Sequence, residues 1–462
     1  MTLLRVEHIV ILGITAVFLR LLASSRSSGL RDIPGPFLAK YTDFWRLIDH
    51  WRGTHVRTQR RLHEKYGPAV RIGPNAVSLS DPALLKTVYS TRGEFRKSDH
   101  YSVTDGSAEG RRVSTIFSAR NHAFHAQKTA PIAKLYTFPS MLRMEHLADE
   151  SLATLCHNLD ERFVQGDNAG TSFDMADWMD YFDLLLGRNP YFPVKLITLQ
   201  NVVNRCVGLV MERIGNPDAT REKADMLDGY LDAKESHPDV VDIADVIGYA
   251  VTMFVGGADT SASAEKAIIY HVLKNQSILA KLQAELDAAD LSFPAQYKEV
   301  ESLKYLDAVI HEGLRILPPV GVILERVVPS SGLKLPDGRT IPAGTIVGMN
   351  AWVTSRNKDI FGDDVETFRP ERWLQKQGES EDAYKTRVAA MKEASFSWGG
   401  GNRVCLGKNM ALVSMYKAIE TIFSRYNLEL VEPKKDWTIL PLWFVLPKDI
   451  RVRASLRDRG NI

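Results

Sequence analysis

Hydrophobic residues are spaced in three distinct ways along this chain, and each spacing predicts a different kind of element. From Ile9 to Leu19 the sequence is apolar, and after Arg20 it continues as LLA. From His63 to Pro82 (HEKYGPAVRIGPNAVSLSDP) apolar and polar residues alternate around two turn signals, which predicts the first hairpin of a small sheet. From about Ala119 to Leu317 helical periodicity dominates. Within it Ile243, Val246, Ile247, Ala250, Val251 and Phe254 keep the 3,1,3,1,3 spacing of one apolar stripe, in a long helix that continues through VGGADTSASAEKAIIYHVL. Beyond Leu317, VILERVVP, LKLPDGRTIPAGTIVGMN, NLELV and WFVLP read as short strands, with Asp337-Gly338 as a hairpin turn. The pattern is mainly α with minor β.

Composition narrows the picture. The 462 residues exceed the usual size of one domain, yet no linker, repeat or low-complexity stretch divides them. We read residues 1–32 as an N-terminal membrane anchor and hinge, and 33–462 as one large domain. A net charge of +2, from 58 basic and 56 acidic residues, argues against a nucleic-acid partner. Three cysteines, Cys156, Cys206 and Cys405, point to a reducing compartment without a disulfide framework. Cys156 and Cys206 lie in amphipathic helical stretches and read as small packing residues. The apolar run is shorter than the ~20 residues of a straight membrane-spanning helix. It is either a secretory signal removed near Ala23 or a retained anchor with Arg20 snorkelling to the interface. Arg20, Arg26 and Arg31 after the run outnumber Arg5 before it, which keeps the bulk of the chain cytoplasmic. Pro34-Gly35-Pro36 then makes a stiff exit.

The densest chemical signal is WGGGNRVCLG, residues 398–407. It sets Cys405 in a glycine-rich loop, Arg403 two residues before it and Gly407 two after, ahead of a helix-capable apolar run. A thiolate that ligates iron needs such a setting. Bare backbone, as at Gly401 and Gly407, lets a flat macrocycle approach. Amide N–H groups and a helix start favour the sulfur anion, and a guanidinium can hold a carboxylate of the macrocycle bidentately. Upstream lie GGADTS (256–261), EGLR (312–315) and FRPERW (368–373).

In this order and at these separations the four motifs resemble the cytochromes P450, haem-thiolate monooxygenases, over nearly everything from Ile33 to Val452. The family usually has Phe where Trp398 stands, and both are flat aromatics that can cover a thiolate. The resemblance implies the cytochrome P450 fold, haem b as cofactor and Cys405 as axial ligand of its iron. Arg403 and the strand residue Arg326 then hold haem propionate. His125 takes part in the second propionate site, where the basic residue expected one turn later is Thr129, with Lys128 just before it. Thr260 is the hydroxyl that serves oxygen activation, and Asp259 feeds protons to it. Glu312, Arg315 and Arg372 form a buried structural triad. Histidines such as His122 and His311 show no metal-ligand spacing and read as surface or packing residues.

The implied activity inserts one oxygen atom from O2 into a small apolar substrate. The resemblance implies that electrons come from NADPH through a cytochrome P450 reductase, and no strand followed by GxGxxG opens a nicotinamide or flavin site here. Likeness to the microsomal branch favours the retained anchor: a single pass in the endoplasmic reticulum membrane, with the catalytic domain cytoplasmic. Strings such as GPFLAKYTDFWR, FGDDVETFRPERW and RVCLGKNMAL resemble the fungal pisatin-demethylase-like subgroup of specialised metabolism, with aromatic or polyketide-like substrates. An O2-independent haem-thiolate isomerase or dehydratase is one alternative, against which the intact Asp259-Thr260 pair speaks. A catalytically impaired haem protein is the other. DMADWMDYF runs straight into DLLLGRNPYFP, so a roof helix expected over the haem is missing through an internal deletion near 182/183.

Overall fold

A computed structural model describes residues 29–458 except 93, 109–110, 167, 186–198 and 217–224, together with the isolated positions 8, 11, 12 and 15. The apolar run Ile9 to Leu19, and with it the expected anchor, falls almost wholly outside the described residues. Among the described residues no helix is long and apolar enough to cross a membrane.

The body is a helical core with small sheets at its edge, and the helices that matter to the site are named here in chain order. They are α1 (His122–Thr129), α2 (Met175–Leu185), α3 (Leu199–Gly215), α4 (Met226–Ser236), α5 (Ile243–Lys274), α6 (Lys304–Ile316) and α7 (Lys408–Arg425). Helix α5 runs through the centre, packed by α2, α3, α6 and α7. Its start is fixed by a capping box: the Asp242 side chain accepts from Asp245 N at 2.8 Å, and Asp242 N donates back to Asp245 Oδ2 at 3.0 Å. From Ser261 to Tyr270 every residue of α5 is buried, on all faces. Of the expected apolar stripe in its first half only Val246 is fully buried; Ile247, Ala250, Val251 and Phe254 are half-buried. The chain passes the 182/183 junction as one unbroken helix, α2, with Met175, Met179 and Phe182 in the main core.

The strands that bear on the site are β1 (Ala69–Gly73), β2 (Ala76–Leu79), β3 (Arg96–Lys97), β4 (Arg326–Val327) and β5 (Ile346–Met349), which form one sheet in the order β1-β2-β5-β4-β3. The hairpin read from periodicity is β1–β2, with Val70 opposite Ser78, although both of its faces are buried. Pro34-Gly35-Pro36 is pinned to it: Arg71 N donates to Pro34 O at 2.7 Å, and a Cβ on Gly35 would stand 2.1 Å from Arg71 O. This stiff segment is thus docked on the sheet. Strands β4 and β3 are antiparallel, with Arg326 directly opposite Lys97. A separate hairpin, β6 (Thr438–Pro441) with β7 (Val445–Lys448), packs against α5 and docks its turn on the 319–321 loop.

Candidate functional site

Cys405 lies in the loop that feeds α7, whose N-cap is Gly407. Its amide donates to Trp398 O at 2.8 Å, which closes the loop and brings the Trp398 ring against the core. Gly401 is at φ +63°, and a Cβ there would lie 1.9 Å from Tyr89 O, so the tight approach to the Tyr89–Ser90 backbone requires glycine. A Cβ on Gly407 would meet nothing within 4 Å. The Cys405 side chain borders open space but is surrounded by protein, and loss of hydration raises its pKa. The Gly407 and Lys408 amides and the Lys408 charge oppose that rise. These are the donors a thiolate ligand needs.

Beside the loop, cations converge, while the buried carboxylate next to Arg326 in sequence, Glu325, is engaged by Ser98 and Arg46. Arg326 is buried and lies over the Tyr89 ring, 4.8 Å from its centroid. Arg403 has Nε and Nη1 buried without a hydrogen-bond partner; its Nη2 reaches Asn121 O at 3.5 Å. Burial, and then Arg326, hold its pKa down to about 10. Lys97 is buried, and its pKa is pushed well below the usual range by burial, Arg326 and Arg403. On α1, His125 is held down to about 4 by burial, then by Arg403, Lys97 and His122. His122 Nδ1 accepts from Asn402 Nδ2 at 3.3 Å, leaving Nε2 buried with no partner. A set of buried donors that depress one another's protonation calls for an anion between them.

Two features depart from expectation. Lys128 is unavailable to that anion, because its Nζ donates to Asp245 Oδ2 and Val240 O, both at 2.6 Å, tying α1 to the start of α5. The buried Thr129 Oγ1 has no partner. Lys97 and His122, unassigned from sequence, lie close enough to His125 to lower its pKa, with Lys97 Nζ also donating to Phe117 O at 2.5 Å. His122 carried a faint signal, three residues before His125 on one helical face; Lys97 carried none.

Helix α5 presents Gly256, Gly257 and Thr260 on one face. A Cβ on either glycine would meet nothing within 4 Å. Thr260 Oγ1 donates to Gly256 O at 2.7 Å, bonded back to its own helix. Asp259 sits beside it with a carboxyl pKa raised by burial and by Asp180 of α2. Asp180 is itself bound to Lys266 of α5.

The structure also brings Glu312, Arg315 and Arg372 together. Arg315 makes a bidentate pair with Glu312, both bonds 2.8 Å, and Arg372 Nε donates to Glu312 Oε1 at 2.9 Å. Trp373 Nε1 and Arg369 N complete the carboxylate at 2.8 Å each. Arg315 and Arg372 use their remaining donors on the 361–367 backbone. The cluster is fully buried and distant in sequence from the thiolate loop; it fixes the segment after α6.

An iron macrocycle with two carboxylates fits these residues: sulfur with amide donors, unpartnered guanidinium and imidazole nitrogens, and glycines at 256, 257 and 407 where a Cβ would meet nothing. Comparison with known proteins agrees. The cytochrome P450 family model matches residues 43–185 and 192–452. The protein named cytochrome P450 monooxygenase cfoH, from Aspergillus candidus, is 32% identical, with 94% of this chain and 89% of that protein covered. Cytochrome P450 monooxygenase cicH, from Emericella nidulans, is also 32% identical, with 93% and 94% covered. The cfoH alignment extends over 480 positions, more than the 462 residues of this chain, so that relative carries residues absent here. The chain belongs to the cytochrome P450 family: it is an oxidoreductase, a monooxygenase with haem b whose iron is ligated by a thiolate.

Proposed function

We propose that this enzyme inserts one oxygen atom from O2 into a small apolar molecule of specialised metabolism, of an aromatic or polyketide-like class akin to the substrates of the pisatin-demethylase-like subgroup. Electrons come from NADPH through a cytochrome P450 reductase. An N-terminal anchor in the endoplasmic reticulum membrane holds the catalytic domain of residues 33–462 on the cytoplasmic side.

Haem, when bound, supplies the redox chemistry of dioxygen activation. The chain's own part is to hold it and to manage protons. Cys405 would be the thiolate ligand of its iron; burial raises the Cys405 pKa, and the Gly407 and Lys408 amides with the Lys408 charge oppose that rise. Arg403 and Arg326, with Lys97, His122 and His125, hold the propionates. The observation that carries the monooxygenase reading is the Gly256-Gly257-Thr260 face of α5 with Asp259 beside it. Asp259, its pKa raised, keeps a proton closer to neutral pH than an ordinary carboxyl does. We assign the Thr260 hydroxyl, bonded to Gly256 O, to pass it on.

Thr260→Ala tests this. The variant should keep its haem spectrum yet divert NADPH electrons into peroxide, measured as the ratio of peroxide to NADPH consumed with reductase present. Equal coupling in variant and parent would point to an isomerase or dehydratase, which needs no such relay.

A second reading rests on a separate observation. The first half of α5 is only half-buried, and relatives carry residues this chain lacks. Both support a missing roof helix near 182/183, and with it a catalytically impaired haem protein. Sequencing the cDNA across the 182/183 junction discriminates: extra coding residues there mean a mis-spliced form. A matching transcript with full haem loading and tight coupling removes the impairment.

A further inference from the structure

The strands Gly106–Ala108 and Arg111–Val113 form an antiparallel hairpin, with Gly106 opposite Val113. Among the described residues no other helix or strand packs closely against it. Its second strand runs out through Arg111-Arg112-Val113-Ser114. Arg112 and Val113 are exposed, Val113 at 43%. Arg112 takes part in no ion pair or hydrogen bond among the described residues. It stands two residues before Ser114, the spacing of one face of an extended chain.

Three hydroxyls follow the arginine pair, and their surroundings differ. Thr115 and Ser118 close a turn on each other. Thr115 N donates to Ser118 Oγ at 2.9 Å, Ser118 N to Thr115 Oγ1 at 3.1 Å, and Thr115 Oγ1 to Ser118 Oγ at 3.3 Å. Ser114 is half-buried, and its Oγ has no such partner among the described residues. Ser98, directly after the adjacent cations Arg96 and Lys97, is by contrast fully buried with its Oγ on Glu325.

A serine kinase whose acidic cleft selects arginines two and three residues before its acceptor reads this pattern by charge. We propose that Ser114 is a phosphorylation site for such an arginine-directed kinase. The γ-phosphoryl group of ATP moves to Ser114 Oγ: its bond to the departing ADP breaks, the Oγ–P bond forms, and the hydroxyl proton goes to the kinase's catalytic aspartate. The phosphate then has a partner at hand. One residue beyond the Gly106–Val113 pair, the two strands continue into Asp105 and Ser114. The Asp105 carboxylate is nearly buried and held by Arg120 Nη1 and Nη2 at 3.2 and 3.3 Å. A phosphoserine adds about −1.5 to −2 charges beside it, and like charges on facing strands repel. Arg120 can grip the phosphate bidentately, so it leaves Asp105, and the tie between residues 105 and 120 is lost.

The purified full-length protein is incubated with ATP, Mg2+ and the catalytic subunit of cAMP-dependent protein kinase, an arginine-directed enzyme. Incorporated phosphate is located by mass spectrometry of a digest. Ser114 should carry it. Ser114→Ala should remove it, and Arg112→Ala should slow it about tenfold, the loss of one charge-assisted pair. A synthetic peptide of residues 108–118 measures exposure. Phosphorylation of the peptide with none of the folded protein overturns the site, and so do equal rates in parent and Arg112→Ala. Amide hydrogen exchange over residues 99–120 tests the consequence. It should quicken roughly tenfold on phosphorylation, and likewise in unphosphorylated Arg120→Gln. Unchanged exchange in the phosphorylated protein overturns the displacement of Arg120. None of these readouts involves haem, so their failure leaves the monooxygenase assignment standing.

Discussion

Lys97 and Arg326 face each other directly across two antiparallel strands, both buried, with no acid between them. Like charges in register destabilise a sheet, so the pairing makes sense where an anion lies against it. Arg403, with two buried nitrogens unpartnered, and His122, with one, complete the ring of donors.

The first prediction concerns that ring. Lys97→Met and His122→Ala should each lower the haem-to-protein ratio of the purified enzyme, and the double variant should lower it further. Lys128→Ala should leave haem content intact while lowering thermal stability by about 1–2 kcal/mol, since Lys128 serves the α1–α5 ion pair. Haem loss from the Lys128 variant, with none from the Lys97 variant, would reverse the assignment.

Replacing the ligand gives a sharper readout. Cys405→Ser should abolish the red-shifted Soret band of the ferrous–CO complex. Cys156→Ser and Cys206→Ser should preserve it, because both thiols are buried away from the loop, where burial pushes their pKa up to about 11.

Glu312 should be among the least replaceable side chains. Its two oxygens accept from Arg315, Arg372, Trp373 and the Arg369 amide. Glu312→Leu strands two buried guanidinium groups, at a cost of ~3–5 kcal/mol. The variant should accumulate as insoluble protein, or unfold at markedly lower denaturant. Arg372→Lys should be intermediate, as it keeps the charge but loses the planar fork.

These sites differ in how far the sequence exposes them. Glu312 and Arg315 share a helical face, and Cys405 sits in a glycine pattern few folds need, so local spacing suffices to find them. Lys97 does not share that advantage. It pairs with Arg326 through two-residue strands far apart in the chain, too short to carry a period. The second half of α5 misleads for the opposite reason. It is buried on every side, so its core positions include Glu265 and Lys266, which a stripe reading would place outside.

Glu265 yields the last prediction. It is fully buried, five residues past Thr260, and neither carboxylate oxygen has a hydrogen-bond partner. Burial raises its pKa to about 8, against 4.5 for an ordinary glutamate; Lys266, the neighbouring cation, opposes this but is engaged by Asp180. The folded state therefore keeps the proton longer than the unfolded chain does. Stability from this group is fully present below about pH 4.5 and falls as pH rises towards 8, at ~1.4 kcal/mol per pH unit while the window lasts. Above pH 8 both states are ionised and the loss stops growing. Several histidines act in the opposite sense: His63 and His125, lowered to about 4, add stability as pH rises from 4 to 6.5 and nothing beyond. Between pH 6.5 and 8 they are silent, and Glu265 stands out. Denaturant unfolding across that window should show the parent losing stability, and Glu265→Leu holding level and starting higher. Parallel pH profiles for the two proteins would show that Glu265 is already ionised in the folded state, with a partner that its surroundings do not reveal.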